Sequence, residues 1–161
     1  MERMGRCAKL AWEHAVKEWR AAPEGQRRGG VMTGHILLGV LQEPSCAGGL
    51  ILRMMGLDLQ LAIDHARFAL LYGRRRDDVD EATVDWQDVP HTHAALNVIS
   101  RSEEEANLTS NTYLIETEHL TLGLLSIEMG MGNQVLRHLG INESAARIAR
   151  DTWWDVLRLS E

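Results

Sequence analysis

Lysine is scarce in this chain: Lys9 and Lys17 are the only two among its 161 residues. A phosphate-binding loop of the G-x-x-x-x-G-K-[ST] type needs a glycine directly before its lysine. Here Ala8 and Val16 precede the two lysines, so these 161 residues contain no such loop. A nucleotide-hydrolysing motor built on that loop is therefore excluded for this sequence.

Long apolar runs and a basic charge balance are missing as well. No stretch approaches the roughly 18 to 20 apolar residues of a membrane-spanning helix, and the first residues lack the apolar segment of a secretory signal. The formal net charge is −6, whereas proteins that bind a phosphate backbone need a basic surface. We therefore expect a cytoplasmic protein that binds neither membrane nor nucleic acid.

Cysteine is equally rare, with only Cys7 and Cys46. Disulfides are uncommon in the reducing cytoplasm, and free cysteines often pack as small apolar side chains. We therefore expect two thiols that pack in the protein rather than a bridge. The length and the 45% apolar fraction suffice for one domain that buries about two-thirds of its unfolded surface.

An internal repeat is the strongest feature that the chain does contain. Residues 33–57 align without a gap with residues 117–141, and nine of the 25 columns are identical. Average composition would give about one or two identities by chance. The identical columns are Thr33/Thr117, His35/His119, Leu38/Leu122, Gly39/Gly123, Leu41/Leu125, Gly48/Gly132, Leu52/Leu136, Arg53/Arg137 and Gly56/Gly140. A duplicated supersecondary unit is indicated.

Apolar residues recur at three- and four-residue spacings throughout, which is typical of amphipathic helices. Thr33, Asp58, Thr117 and Asn142 are expected N-caps. The expected helices span 8–21, 34–42, a segment from Pro44 to Gly56, 58–72, 92–108, a segment from Thr117, one that ends at Gly140, and 142–157. We predict an all-α domain of eight helices in two tandem four-helix repeats, residues 1–72 and 90–161, joined by an acidic linker at 73–89.

The second copy of the repeat resembles a known family. TEHLTLGLL at 117–125, LRHLGI at 136–141 and VPHTHAALNVI at 89–99 are similar to signatures of the Clp N-terminal domain, which precedes the ATPase modules of ClpA- and ClpC-type AAA+ unfoldases. The resemblance implies a bundle with a pseudo-two-fold axis between its repeats. Because the phosphate loop is lacking, we expect a stand-alone chain rather than the motor.

The resemblance also implies a binding site. In ClpC-type domains the glutamate of TEH, here Glu118, faces a pocket for arginine-phosphorylated or other basic client groups, and Thr92 matches a threonine beside that pocket. A carboxylate can hold a guanidinium through two hydrogen bonds, while helix amides near Thr117 take the phosphate. Alternatively, Glu118 only complements the helix dipole. Gly34 replaces the glutamate in the first repeat, so one pocket is expected.

The other duplicated residues are expected to be structural. His35 and His119 should bond a backbone carbonyl or a hydroxyl between helices, and Gly39 and Gly123 should allow close helix approach. Gly56 and Gly140 should close helices in a left-handed conformation. His91 and His93 lack further ligands at a convincing spacing, so we expect no metal and no cofactor.

Three functions follow from these expectations. The first is a non-catalytic adaptor or modulator of a Clp unfoldase and protease, with the unfoldase or its client proteins as partners. The second is a protein that sequesters a small ligand or peptide that targets the unfoldase N-terminal domain. The third is an acid–base enzyme that uses Glu118, His119 or Glu116, although no nucleophile or metal set accompanies them.

Overall fold

The computed structural model describes residues 3–27, 29–73, 81–82, 89–109 and 113–159. Within these ranges the chain forms eight helices of eight or more residues, one four-residue helix and two short strands. The helices are α1 (Arg6–Ala21), α2 (Glu24–Arg27), α3 (Thr33–Leu41), α4 (Ala47–Met54), α5 (Leu59–Tyr72), α6 (His93–Thr109), α7 (Thr117–Ser126), α8 (Met131–His138) and α9 (Glu143–Leu159). The predicted all-α class is confirmed. Most of the expected linker at 73–89 lies outside the described residues.

The two strands are β1 (Glu81–Ala82) and β2 (His91–Thr92), which pair antiparallel. None of the helices in the described ranges combines the length and the apolar character that crossing a bilayer requires. One apolar core receives side chains from both halves of the chain. Trp12 of α1 is among the largest side chains in it and is 1% exposed.

The helix starts depend on short polar contacts. Asp58 accepts hydrogen bonds from the backbone N–H groups of Gln60 and Leu61, and the Asn142 side chain accepts one from Ala145. Thr33 and Thr117, which we expected as caps, are instead the first residues of α3 and α7. Their hydroxyl groups are used in contacts between the two halves.

The duplicated glycines Gly56 and Gly140 end α4 and α8 in the same way. Both have positive φ, 83° and 82°. After each glycine, the backbone N–H of the next residue reaches back to helix α4 or α8: Leu57 donates to Leu52 and Ile141 donates to Leu136. This bonding pattern is the Schellman motif, in which a residue without Cβ adopts the left-handed conformation at low cost.

Helix crossings within each half require Gly39 and Gly123. Gly39 of α3 faces the backbone of Ala11 on α1. At Gly123 of α7, a Cβ atom would lie 2.7 Å from the carbonyl oxygen of Val98 on α6. Both crossings therefore leave no room for a side chain.

Residues in the duplicated columns of the repeat form hydrogen bonds between the two halves of the chain. The Thr117 hydroxyl accepts a hydrogen bond from the N–H of Gly48 at the start of α4, 2.9 Å away, and the Thr33 hydroxyl accepts one from Gly132 at the start of α8, 3.1 Å away. A Cβ at Gly48 would lie 2.5 Å from the Thr117 carbonyl oxygen. The threonine and glycine columns are thus explained by reciprocal contacts across the pseudo-two-fold axis.

The expectation of two separate thiols is wrong. Cys7 in the first turn of α1 and Cys46, the N-cap of α4, form a disulfide with their Cα atoms 6.1 Å apart, within the usual range for a bridge. The two cysteines are 39 positions apart. Only the tertiary structure shows that α1 and α4 begin side by side.

Candidate functional site

Glu118, the expected client-binding carboxylate, is the second residue of α7 and is only 2% exposed. Its Oε2 atom has no hydrogen-bond partner among the described residues. Burial, assisted by the charge of Glu116, raises the pKa of Glu118 to about 7. The hydrogen bond from its own backbone N–H and the charge of Arg150 act in the opposite direction but do not cancel the rise. In this structure Glu118 is therefore an enclosed carboxyl group that changes charge near neutral pH.

Three helix N-termini meet around this carboxyl group. The Glu116 carboxylate, just before α7, accepts the backbone N–H groups of Cys7 and Ala8 in the first turn of α1. The N–H of Gly5 donates to the carbonyl of Ile115, and the start of α4 is bound to α7 through Gly48. Because helix N-termini carry partial positive charge, the site suits carboxylates, and Glu116 already occupies the amides of α1.

The repeat indicates what covers Glu118. Gly34, its counterpart in the first half, lies against the side chains of Leu70 on α5 and Met131 on α8. The matching residues are Trp154 on α9 and Ala47 on α4, because the 84-residue register continues beyond the identical columns. Ala62 and Ala146, for example, are both fully buried in this register. From this register we infer that Ala47 and Trp154 lie beside Glu118; Trp154 is 38% exposed.

Thr92 is not brought to Glu118. Its hydroxyl accepts the N–H of Ala95 and donates to the carbonyl of Val31, next to α3. Thr109, at the opposite end of α6, is bonded to His119 in the first turn of α7. The 17 residues of α6 span about 25 Å, and this length separates Thr92 from the start of α7, where Glu118 lies.

Parallel bridges pair Met4 with Ile115 and Val31 with His91. Gly5, which lies against the Glu116 carboxylate at the start of α7, is therefore the counterpart of Thr92. Each of the two equivalent sites keeps one member of the expected pair: the Gly34 site keeps Thr92, and the other site keeps Glu118.

Thr117 lies within the site, but its hydroxyl is bonded to Gly48 and the residue is fully buried. In addition, the Thr121 hydroxyl donates to the Thr117 carbonyl oxygen. In this arrangement Thr117 joins the two halves, and a ligand could contact it only after α4 moves away.

His35 and His119 close the first turns of α3 and α7. The Nδ1 atom of each accepts a backbone N–H, from Met32 at 3.0 Å and from Glu116 at 2.9 Å. The proton of His119 is therefore on Nε2, which donates to Thr109. Burial and, to a smaller extent, the charge of Arg150 lower the pKa of His119 to about 4, against the opposing charge of Glu105. A neutral imidazole thus performs the role of the capping-box side chain.

A buried ion-pair network next to the site was missed by sequence reasoning. Glu105 of α6 is 7% exposed and accepts two hydrogen bonds from Arg147 and one from Arg150 of α9. Burial acts to raise the pKa of Glu105, but the arginine bonds and charges outweigh it and leave the pKa lowered. The spacing of Glu143, Arg147 and Arg150 along one helix face was the available signal.

Surface grooves lie elsewhere. One of about 430 Å³ separates α5 from α8; it is lined by His65, Phe68, Ala69, Gly73, Met131, Gln134, Val135 and His138. A more polar groove of about 710 Å³ runs beside the start of α6 and includes His93 and Arg101. Glu118, Thr92 and Thr117 line neither groove. The described residues contain no group of three or more metal-binding side chains, and His91 is buried against the Trp12 ring, 5.1 Å away.

Comparison with known proteins agrees with this architecture. Residues 90–155 match the Clp repeat (R) N-terminal domain model. Over 138 residues, 84% of the chain, the sequence is 33% identical to the chloroplastic chaperone protein ClpC of Pisum sativum, of which it spans 14%. It is also 28% identical over 115 residues to the chaperone protein ClpB of Oceanobacillus iheyensis, covering 71% of this chain and 13% of that protein.

Among solved structures, the N-terminal domain of the caseinolytic protease associated chaperone ClpD from Arabidopsis thaliana has the same fold. The TM-score is 0.69 at 23% identity, over 96% of both chains. The helical fold and the sequence similarity agree, and the chain belongs to the Clp repeat N-terminal domain family.

Proposed function

We propose that this chain is a non-catalytic protein-binding module that acts with a Clp-type unfoldase, either by presenting client proteins or by contacting the motor. The observation that supports it is the similarity to ClpC over 84% of the chain. The 161 residues contain no phosphate loop, and they span 14% of the pea protein. Unfolding driven by ATP would therefore require ATPase modules outside these residues.

Glu118 is the group proposed to receive the client. Its unpaired carboxylate oxygen can accept a guanidinium or another cationic group. The first amides of α1, which would suit a phosphate, already bond the Glu116 carboxylate. A basic client group therefore fits this site more directly than an arginine-phosphorylated one, which would have to displace Glu116.

Titration calorimetry tests the proposal with three partners: a purified ClpC-type unfoldase, an arginine-rich peptide and phosphoarginine. We expect saturable binding of the unfoldase or the peptide. If the client site is at Glu118, Glu118→Gln should weaken peptide binding by at least about tenfold, because a charge-assisted hydrogen bond is lost. Glu104→Gln, at an exposed carboxylate paired with Arg101, is the matched control.

Saturable binding to none of the three partners, by either the disulfide-bonded or the reduced protein, would contradict the proposed function. Peptide binding that survives Glu118→Gln would contradict the assignment of the site while leaving the function in place. The expected cytoplasmic location stays a prediction, and fractionation of cells that express the tagged chain tests it.

A further inference from the structure

Two of the differences between the equivalent helix starts fall on the same side. One side has Glu118 where the other has Gly34. The side with Glu118 also has the Cys7–Cys46 disulfide. Its counterparts on the other side are Ala94 and Gly130, because the bridges at Met4 and His91 align α1 with α6 and the repeat aligns α4 with α8. Glu118 and the disulfide thus lie at the same one of the two equivalent helix starts.

The disulfide joins two walls of the enclosure around Glu118. Cys7 belongs to the first turn of α1, whose amides bond the Glu116 carboxylate. Cys46 directly precedes Ala47, which the repeat places opposite Glu118. Separating the starts of α1 and α4 would open this side of the enclosure, and the S–S bond opposes that separation.

We propose that the Cys7–Cys46 disulfide is a redox-controlled clasp that closes the Glu118 site, and that a dithiol reductant opens it. In this step the S–S bond breaks and the dithiol supplies two electrons and two protons. Cys7 and Cys46 become thiols, and the reductant becomes a cyclic disulfide. The biological consequence, client access in the reduced form, rests on the proposed function; the opening itself does not.

The contacts that remain after reduction differ between the walls. The start of α1 keeps its bonds to Glu116 and Ile115. At the start of α4, the hydrogen bond recorded to α7 is the one between Gly48 and Thr117. The start of α4 is therefore the wall that moves, whereas the core of both halves stays packed.

Carboxyl labelling with a water-soluble carbodiimide and an amine, read by mass spectrometry, tests the clasp. The wild-type protein is compared before and after reduction with dithiothreitol and desalting without oxygen. We expect labelling of Glu118 to increase at least about tenfold on reduction, as for a local opening. Exposed Glu104 and buried Glu105 serve as controls and should not change. A Cys7→Ser/Cys46→Ser variant should resemble the reduced protein without any reductant.

Equal labelling of Glu118 in both redox states would overturn the proposal. A parallel increase at Glu105 would also overturn it, because general unfolding would then be the cause; if the double variant does not fold, reduced wild-type protein decides. Calorimetry with the arginine-rich peptide separates the two proposals. If reduction increases the labelling of Glu118 but the peptide does not bind, the clasp is supported and the client site is contradicted. If the peptide binds while Glu118 stays unlabelled in both redox states, the clasp is contradicted and the binding function is supported.

Discussion

Removing the disulfide should destabilise the whole fold as well as open the site. A cross-link restricts the unfolded chain, and its contribution grows with the length of the loop that it closes. Cys7 and Cys46 are 39 positions apart, and a closed loop of that length corresponds to about 4 kcal/mol in the chain-entropy treatment. The double substitution Cys7→Ser/Cys46→Ser, or reduction of the wild-type protein, should lower the free energy of unfolding by about this amount.

Thermal unfolding followed by circular dichroism measures the effect. For a chain of this size each kcal/mol shifts Tm by about 2–4 °C, so a decrease of roughly 8 to 16 °C is expected. The double variant should unfold at the same temperature with and without dithiothreitol. Counting thiols by alkylation and mass spectrometry establishes the redox state of each sample. A bridged wild-type protein whose Tm is unchanged by reduction would refute the reasoning.

Three further predictions concern titration, packing and the ion-pair network. The pKa of Glu118 is raised from 4.5 to about 7, so the folded protein holds a proton that the unfolded chain loses, and stability should fall by roughly 3 kcal/mol as pH rises from 4.5 to 7. The pKa of His119 is lowered from 6.5 to about 4, so its contribution should rise by a similar amount between pH 4 and 6.5. In urea denaturation at a series of pH values, Glu118→Gln should remove the fall in stability between pH 4.5 and 7. His119→Gln, which keeps a capping acceptor, should remove the rise between pH 4 and 6.5; identical pH profiles in both variants would contradict both assignments. Gly123→Ala should cost about 1–3 kcal/mol, because the new Cβ would meet the Val98 carbonyl, and an unchanged urea midpoint would contradict that crossing. Glu105→Gln should cost about 1–3 kcal/mol, because Arg147 and Arg150 lose the charge of the buried carboxylate that they share and keep the more exposed Glu143 and Asp151, and denaturation at high salt should not restore the loss.

Local patterns predicted most of the fold. Apolar spacing predicted the eight helices, and Asp58 and Asn142 cap α5 and α9 as their side chains suggested. These features depend on residues within one or two helical turns of each other. The N-cap assignments of Thr33 and Thr117 were displaced by one residue, because their hydroxyl groups bond to the opposite half.

The site was less predictable. The motif pointed to Glu118, and the structure places it at a meeting of three helix starts. Whether Thr92 lies near Glu118 depends on which helix starts are neighbours in the folded protein, and the sequence pattern does not specify this. The disulfide and the Glu105 network depend on the same information, since each joins helices that are far apart in sequence.

The sequence by itself determined a duplicated helical scaffold with a carboxylate, Glu118, in one copy and a glycine, Gly34, at the equivalent position of the other. Only the tertiary structure decided that each half completes the helix starts of the other, and that Glu118 is enclosed beside a covalent bridge. The reason is physical: the deciding hydrogen bonds, Gly48 to Thr117 and Gly132 to Thr33, join residues 69 and 99 positions apart. Helical periodicity reflects neighbours along the chain, whereas these contacts form only when the two halves pack.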